Sequence, residues 1–450
     1  MKFFLLTTAM LIANRSFGAE YEMTLERARK IGSEGSQQVH SAKFELNSLD
    51  NSYQSKRADY FPILSLEGSY QQQSHLSTFA IPNGPAVQFG DYYNYSVGPV
   101  IRYNLYNGSQ TTLSAESSKY AIEQKKAQLG QAKIGSTLAI EQAYINSALA
   151  LEELKGTADN LSLAQKQYSD ISRKASAGSA TKLDLLASKK EVLSYEILFR
   201  QSALHLSQSL SDLKIQLGEG PDWSQSAPMP KSVCLENIKF ANPIVVVKLD
   251  TLDEMKIVPM KLEKAEIEDH PELVAYKMQQ ESLISLSKAA KSSLYPRFDL
   301  ILKSNYSYPD QTTLNSYWQN SAGVTFSMPI LEGSKSSSES EKFLSEAQAL
   351  GARGKQRKLE MQSSIEKAIA SLASLREQVQ LQDKSVIESN KYAKITFETY
   401  RLGKAQYLDV QSANTKFLEA RNSAARIKAN LLSTISQLNY LYGRNAEENK

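Results

Sequence analysis

The chain of 450 residues contains one cysteine, Cys234, and only four histidines. A single cysteine excludes an intrachain disulfide and a metal site built from a cysteine cluster. No grouping of His, Cys and Asp has the spacing of a metal site or a catalytic triad, and a Gly-x-x-x-x-Gly-Lys-Ser/Thr phosphate loop is missing. The sequence therefore predicts neither an enzyme, nor a cofactor, nor a nucleotide-driven motor.

Long apolar runs and an excess of charge are also lacking. Apart from the N-terminus, no segment approaches the ~20 apolar residues of a membrane-spanning helix. The formal net charge of +4 comes from 52 basic and 48 acidic residues, a balance that does not favour nucleic-acid binding. Any membrane role must therefore come from β-strands, which leave a weak hydropathy signal.

The first residues have the pattern of an export signal. Lys2 precedes an apolar run from Phe3 to Ala13, and small residues follow at Gly18 and Ala19. The run is too short for a membrane anchor. We predict a signal peptide over 1–19, cleaved after Gly18 or Ala19.

The strongest pattern present is an internal repeat. The segment Gly178–Asp184 returns 225 residues later as Gly403–Asp409, and the same shift aligns 97–218 with 322–443 without a gap. Because the spacing is preserved although most side chains differ, we predict a duplicated structural unit.

Each copy is predicted to contain a strand pair, a very long helix, a tight turn and a second helix. The first repeat, 20–218, contains a polar helix over 22–58, strands over 60–70 and 92–105, a long helix over 108–176, a tip turn over 177–181 and a helix over 181–217. The second repeat, 265–443, contains a helix over 271–294, strands over 298–308 and 317–330, a long helix over 333–400, a tip turn over 401–406 and a helix over 406–442. Loops are predicted over 71–91 and 309–316, a linker region with one small strand over 219–264, and a polar tail over 444–450.

The strands alternate between apolar or aromatic and polar residues, as at Tyr93, Tyr95 and Val97 against their neighbours. This suits a membrane barrel with lipid outside and water inside; the alternative is a soluble β-sandwich, which usually has many short strands. Four strands cannot close a barrel, which needs about eight, and open edges are not tolerated in lipid. The edges must then pair with other copies, and two, three or four copies remain open. The long helices, about 100 Å at 1.5 Å per residue, are too long for a globule and must pack as coiled coils.

These features resemble the TolC-like family of outer-membrane channel-tunnels, the exit ducts of drug-efflux pumps and type I secretion systems. The resemblance rests on the duplicated Gly-x-Ala-x-x-Leu-Asp segments, on the strand entries at 60–66 and 294–300, and on Asp269–Leu273. It implies a homotrimer with a twelve-stranded β-barrel in the outer membrane of a Gram-negative bacterium, continued by a periplasmic α-helical barrel. It also implies two partners, a periplasmic adaptor (membrane fusion) protein and an inner-membrane pump of the RND or ABC type.

The resemblance further implies roles for the tip turns. Asp409 matches a lumen-facing aspartate ring, whose second ring position is Ser412 in this chain. Tyr400 and Asp184 match partners in the ties that close the tip, and Arg401 or Lys404 replaces a basic residue that is absent here. Adaptor contacts are expected at small or exposed residues of the turns, namely Gly178, Ser179, Ala180, Gly403, Lys404 and Ala405.

Ordinary turn chemistry explains part of this pattern. Gly178 and Gly403 suit the left-handed residue that ends a helix, and Asp184 suits a capping box with Thr181. Asp409 is interpreted as functional, because Gln406 is a poor N-cap residue and a cap does not explain the carboxylate. Leu183 and Leu408 are expected in the core.

The predicted function is a passive exit duct opened at its tip by the adaptor and pump. The alternative is an exported coiled-coil scaffold or adhesin without a pore, which would have no reason to carry two alternating strand pairs at matched positions. Drug efflux and protein secretion are not separated by the sequence.

Overall fold

A computed structural model describes residues 22–80, 84, 86–218, 248–255, 257, 267–310 and 314–443. The predicted signal peptide, Cys234, the tail over 444–450 and most of the linker region lie outside these residues. The described chain divides into two compact units. The sheet unit contains residues 42–130 and 268–359, and the helical unit contains the other described residues.

Most of the described chain is helical. The helices are α1 (Leu25–Gly35), α2 (Gln37–Ala58), α3 (Gln110–Ser176), α4 (Lys182–Leu217), α5 (Pro271–Ser292), α6 (Lys335–Arg401) and α7 (Tyr407–Leu441). The strands are β1 (Glu22–Met23), β2 (Ile63–Gln72), β3 (Ser77–Ala80), β4 (Ala86–Phe89), β5 (Tyr93–Asn107), β6 (Lys248–Leu249), β7 (Arg297–Tyr308) and β8 (Tyr317–Ser327). Both long helices, α3 and α6, have 67 residues. None of the described helices is apolar over a stretch long enough to cross a membrane.

The N-terminal segment differs from the single helix expected over 22–58. A short strand, β1, comes first, and the helix is interrupted at Ser36, whose backbone is extended. The break lies beside a close contact within the helical unit, where a Cβ built on Gly218 would lie 2.0 Å from the carbonyl oxygen of Gly35. Gly218 has φ of +75°, a conformation that favours glycine.

The sheet unit carries one four-stranded antiparallel sheet in the order β2-β5-β7-β8. In addition, β3 and β4 form a separate hairpin inside the segment predicted as a loop over 71–91. The prediction of a loop there was incomplete, because strands of only four residues do not stand out within a segment whose sequence is rich in Pro and Gly.

The two faces of the four-stranded sheet differ in polarity. On one face, neighbouring strands align apolar residues such as Leu66, Tyr103 and Leu300, and many of them are exposed in the single chain. On the other face, Arg102 forms an ion pair with Glu67, and Asn104 donates to Asp299 at 2.7 Å. Strand β8 is exposed along its whole length.

The helical unit has a conventional apolar core built from one face of each helix. Fully buried members include Ile140, Tyr144, Phe199, Leu213 and Leu217. The Tyr144 hydroxyl donates to the carbonyl oxygen of Met23 at 2.7 Å and accepts from the backbone N–H of Asp250 at 2.9 Å. This tyrosine therefore joins helix α3 to the last residue of β1 and to the residue that follows β6, the two strands of the small parallel sheet.

Candidate functional site: the paired helical turns

The turns between α3 and α4 and between α6 and α7 have the same backbone geometry. The N–H of Gly178 donates to the carbonyl of Ala175 and that of Ser179 to Lys174, while Gly403 and Lys404 donate to Tyr400 and Thr399 in the same pattern. Both glycines have positive φ, +75° and +71°. This is the Schellman arrangement, which satisfies the last carbonyls of a helix.

Helix α4 begins with the capping box predicted for it. The backbone N–H of Asp184 donates to the Thr181 hydroxyl at 3.1 Å, and the Asp184 carboxylate accepts from the backbone N–H of Thr181 at 3.4 Å. Such reciprocal bonds satisfy two N–H groups that the helix leaves unpaired.

Asp409 also caps its helix. The interpretation that capping does not account for a carboxylate at this position was therefore wrong. The Asp409 carboxylate accepts from the backbone N–H of Gln406 at 3.1 Å. The reason is that the carboxylate alone can complete half of a capping box, whatever residue stands at the N-cap. The Asp409 side chain remains exposed, so its charge is open to solvent.

The two turns are tied together within the chain. Lys174 donates from Nζ to the carbonyl oxygen of Arg401 at 3.0 Å, and its charge lies 5.8 Å from the ring centre of Tyr400. Burial, and then the nearby carboxylate of Asp184, raise the pKa of the Tyr400 hydroxyl. Tyr400 and Asp184, which the family resemblance paired, are thus neighbours. Lys174 was missed because its role depends on the meeting of two turns that are 225 residues apart in sequence.

A buried polar cluster lies among helices α3, α4 and α7. The Glu191 carboxylate accepts from the Tyr407 hydroxyl at 2.5 Å and from the side-chain amide of Asn414 at 3.2 Å. The same amide donates to Gln167 at 2.9 Å. Glu191 is only 2% exposed, and burial raises the pKa of its carboxyl, although the two hydrogen bonds act in the opposite direction.

This cluster was not predicted, although the sequence contains one signal for it. Ser188, Glu191, Tyr195 and Phe199 follow one another at helical spacing and are all buried. A single carboxylate within an inward-facing row is a charge that must be partnered. The cluster therefore links α4 to α7 by charge-assisted hydrogen bonds.

Leu183 and Leu408 are exposed rather than in the core, contrary to expectation. Their exposed fractions are 76% and 67%, and Leu402 is 73% exposed. Leu183 and Leu408 directly precede Asp184 and Asp409, and the inward positions are taken instead by residues such as Tyr407 and Val410. The turns consequently present apolar side chains to solvent in the single chain.

The remaining predicted residues are spread around the same turns. Arg401 forms an ion pair with Glu398 at 3.1 Å, one helical turn earlier. Ser412, Ser179 and Lys404 are exposed, and Ala180 and Ala405 are half-buried. Among the described residues no group of His, Cys, Asp or Glu is arranged to hold a metal ion.

Comparison with known proteins connects this arrangement to a family. The model of the family described as outer membrane efflux protein matches residues 33–219 and 263–444, well over half of the chain. No curated protein matches the chain by sequence.

Several solved structures share the fold. CusC is similar over 94% of this chain and 92% of its own, with 16% identity and a TM-score of 0.76. The outer membrane protein VceC from Vibrio cholerae is similar over 93% and 96%, with 14% identity and a TM-score of 0.73. The CmeC outer membrane channel of Campylobacter jejuni is similar over 94% and 88%, with 14% identity and a TM-score of 0.75. At these identities the likeness shows a common fold.

Proposed function

Because the chain belongs to the outer membrane efflux protein family, we propose that three copies form the passive exit duct of a tripartite efflux pump or type I secretion system. The family resemblance predicted from the duplicated motifs is confirmed. The chain is accordingly a transport protein of the outer membrane of a Gram-negative bacterium rather than an enzyme.

The observation that carries the proposal is the four-stranded sheet with one apolar face, one polar face and two unpaired edges. The apolar face suits lipid, and the face with the Arg102–Glu67 ion pair suits a water-filled lumen. Both outer strands, β2 and β8, have an edge that no described strand covers. Three copies would supply twelve strands, enough for a closed barrel without edges.

The paired helical turns are proposed as the gate of this duct. Asp409 is exposed beside the turn, so three copies around one axis would place three carboxylates together and attract cations. Tyr400, Asp184 and Lys174 would hold the turns closed. The exposed leucines and small residues of the turns supply a surface for an adaptor protein, with an inner-membrane pump behind it.

Two measurements test the proposal together. Light scattering of the detergent-extracted protein gives its oligomeric mass, and ethidium accumulation in cells lacking the gene reports efflux. We expect the mass of three protomers and raised accumulation that the restored gene reverses. A monomeric mass contradicts the duct; a trimeric mass with unchanged accumulation assigns the duct to secretion instead.

A further inference from the structure

The two β-hairpins of the sheet correspond residue by residue. Strands β5 and β8 are related by the offset of 225 that relates Gly178 to Gly403, and β2 and β7 by the offset of 234 that relates Pro62 to Pro296. In the structure, Leu64 pairs with Ile101, and their counterparts under these offsets, Phe298 and Phe326, pair with each other in the same way. The whole hairpin registers match in this way, so the duplication extends to strand pairing.

One junction between the two hairpins is present inside the chain. Strand β5 pairs with β7, and its partners include Ile101 with Leu302 and Tyr103 with Leu300. A β-bulge lies between Asn104 and Tyr106, after which Tyr106 pairs with Phe298. The equivalent junction would join β8 to β2, and among the described residues of a single chain no strand pairs with the outer edge of either.

We propose that β8 of one copy pairs with β2 of the next copy in the register of the β5–β7 junction. This inference rests on the proposed oligomeric duct and adds which residues meet across its subunit boundary. The offsets give Thr325 opposite Ser69, Phe326 opposite Gly68, Ser327 opposite Glu67, Met328 opposite Leu66 and, beyond a bulge at Ile330, Leu331 opposite Leu64, the second residue of each pair belonging to the next copy.

The polarity of the faces agrees with this register. Met328 and Leu331, which follow the last residue of β8 and would extend that strand in the assembled duct, would meet Leu66 and Leu64 on the apolar face, whereas Thr325 would meet Ser69 on the polar face. Because side chains alternate between faces, a slip of one residue would place apolar residues opposite polar ones along the whole boundary. The bulge also explains why Ile330 and Leu331, 97% and 93% exposed in the single chain, are both apolar.

A second, independent observation comes from the turns that follow β5 and β8. Gly108 and Gly333 are equivalent and have φ of +66° and +62°. A Cβ built on Gly108 would lie 2.5 Å from the carbonyl oxygen of Ser292 and 2.8 Å from Tyr295, whereas Gly333 has nothing within 4 Å. The contact that Ser292 and Tyr295 make at Gly108 has no counterpart at Gly333 among the described residues of the single chain.

The offset of 234 identifies the missing group. Ser292 and Tyr295 correspond to Ala58 and Phe61, at the end of α2. Ser292 is 2% exposed, but Ala58 is exposed and Phe61 is 65% exposed. The end of α2 in the next copy is therefore the group that packs against Gly333.

Disulfide trapping in the full-length protein tests the register. With Cys234→Ser as the background, Thr325→Cys is combined with Ser69→Cys, the proposed pair. Two matched controls combine Thr325→Cys with Glu67→Cys or with Gln71→Cys, which represent slips of two residues that keep the same face. Directly opposed residues come within disulfide reach, whereas residues two positions away generally do not. Val100→Cys with Lys303→Cys, paired within one chain, calibrates the oxidation without changing the mass.

We expect the Thr325–Ser69 pair to move from the monomer band to dimer and trimer bands in non-reducing gels, with the controls remaining monomeric. Trapping in a control pair, or in none of the pairs while light scattering gives a trimer, would overturn the register and leave the duct intact. A monomer in light scattering overturns both the register and the duct.

Discussion

At the scale of single residues, Glu191 makes a testable contribution to stability. Burial raises the pKa of its carboxyl above the ordinary value of 4.5. A raised pKa in the folded state means that the associated stability is fully present below pH 4.5 and is lost as the pH rises through the folded value. Burial thus makes the ionised form of the Glu191 carboxyl less favourable in the folded chain than in water, a cost that the bonds from Tyr407 and Asn414 only partly offset.

We therefore predict that Glu191→Gln, which mimics the neutral form, changes how stability depends on pH. As the pH falls from about 8 towards 4.5, the melting midpoint of the parent should rise relative to that of the variant. The midpoint is read from the helical circular dichroism, and Glu366→Gln, at an exposed site on α6, is the control. Parallel curves for the parent and Glu191→Gln would contradict the raised pKa.

Lys174 joins the two turns directly. Lys174→Met keeps the length of the side chain but removes the bond to the Arg401 carbonyl and the charge beside the Tyr400 ring. A lost hydrogen bond of this kind costs about 1 kcal/mol, so the closed turns should separate more often. Single-channel recordings should show more frequent open events, and Lys166→Met, at an exposed site on the same helix, should not. Equal open frequencies in the two variants would remove Lys174 from the gate.

At the scale of elements, two glycines of the helical unit should respond in opposite directions to replacement by alanine. Gly218 has positive φ and touches Gly35, whereas Gly135 lies inside α3 with open space beside it. Gly218→Ala should destabilise the protein by at least ~1–2 kcal/mol from the backbone conformation alone. Gly135→Ala should stabilise it by ~0.5–1 kcal/mol, because alanine favours the helix. Denaturation midpoints that shift in the same direction for both variants would contradict this account.

The elements also show which parts of the fold the sequence alone could predict. The long helices and the two strand pairs follow from proline-free runs and from alternation, and these signals are local. The break at Ser36 lies beside a contact between Gly35 and Gly218, which are far apart in sequence, so the local pattern does not reveal this contact. The β3–β4 hairpin is too short for its alternation to stand out within a segment rich in turn residues.

The candidate site could be predicted only in part, again because some of its contacts join residues that are far apart in sequence. Gly178, Gly403 and the Thr181–Asp184 box have local signatures, and the structure has them as turn and cap residues. The Lys174 bridge and the Glu191 cluster depend on which helices meet. The exposure of Leu183 and Leu408 reflects which side of each capping turn faces the core, and the spacing of residues in the turn does not determine that side.

At the scale of the whole molecule, the single chain is an incomplete structure. Its sheet has an apolar face, a polar face and two edges that no described strand covers, and its turns expose leucines. The pairing of β8 with β2 of a second copy would cover the edges, and the duplication would make that boundary equivalent to one inside the chain. Each chain would then be one third of the proposed closed duct.

The most direct test of this claim is single-channel conductance of the purified protein in planar bilayers, with Asp409→Asn compared with the parent. Asparagine retains an oxygen that can accept from the Gln406 N–H, so the substitution removes the charge with little change to the cap. We predict small, cation-selective conductance in the parent, with block by divalent cations that weakens in the variant. A protein that inserts into the bilayer and conducts nothing would contradict the duct.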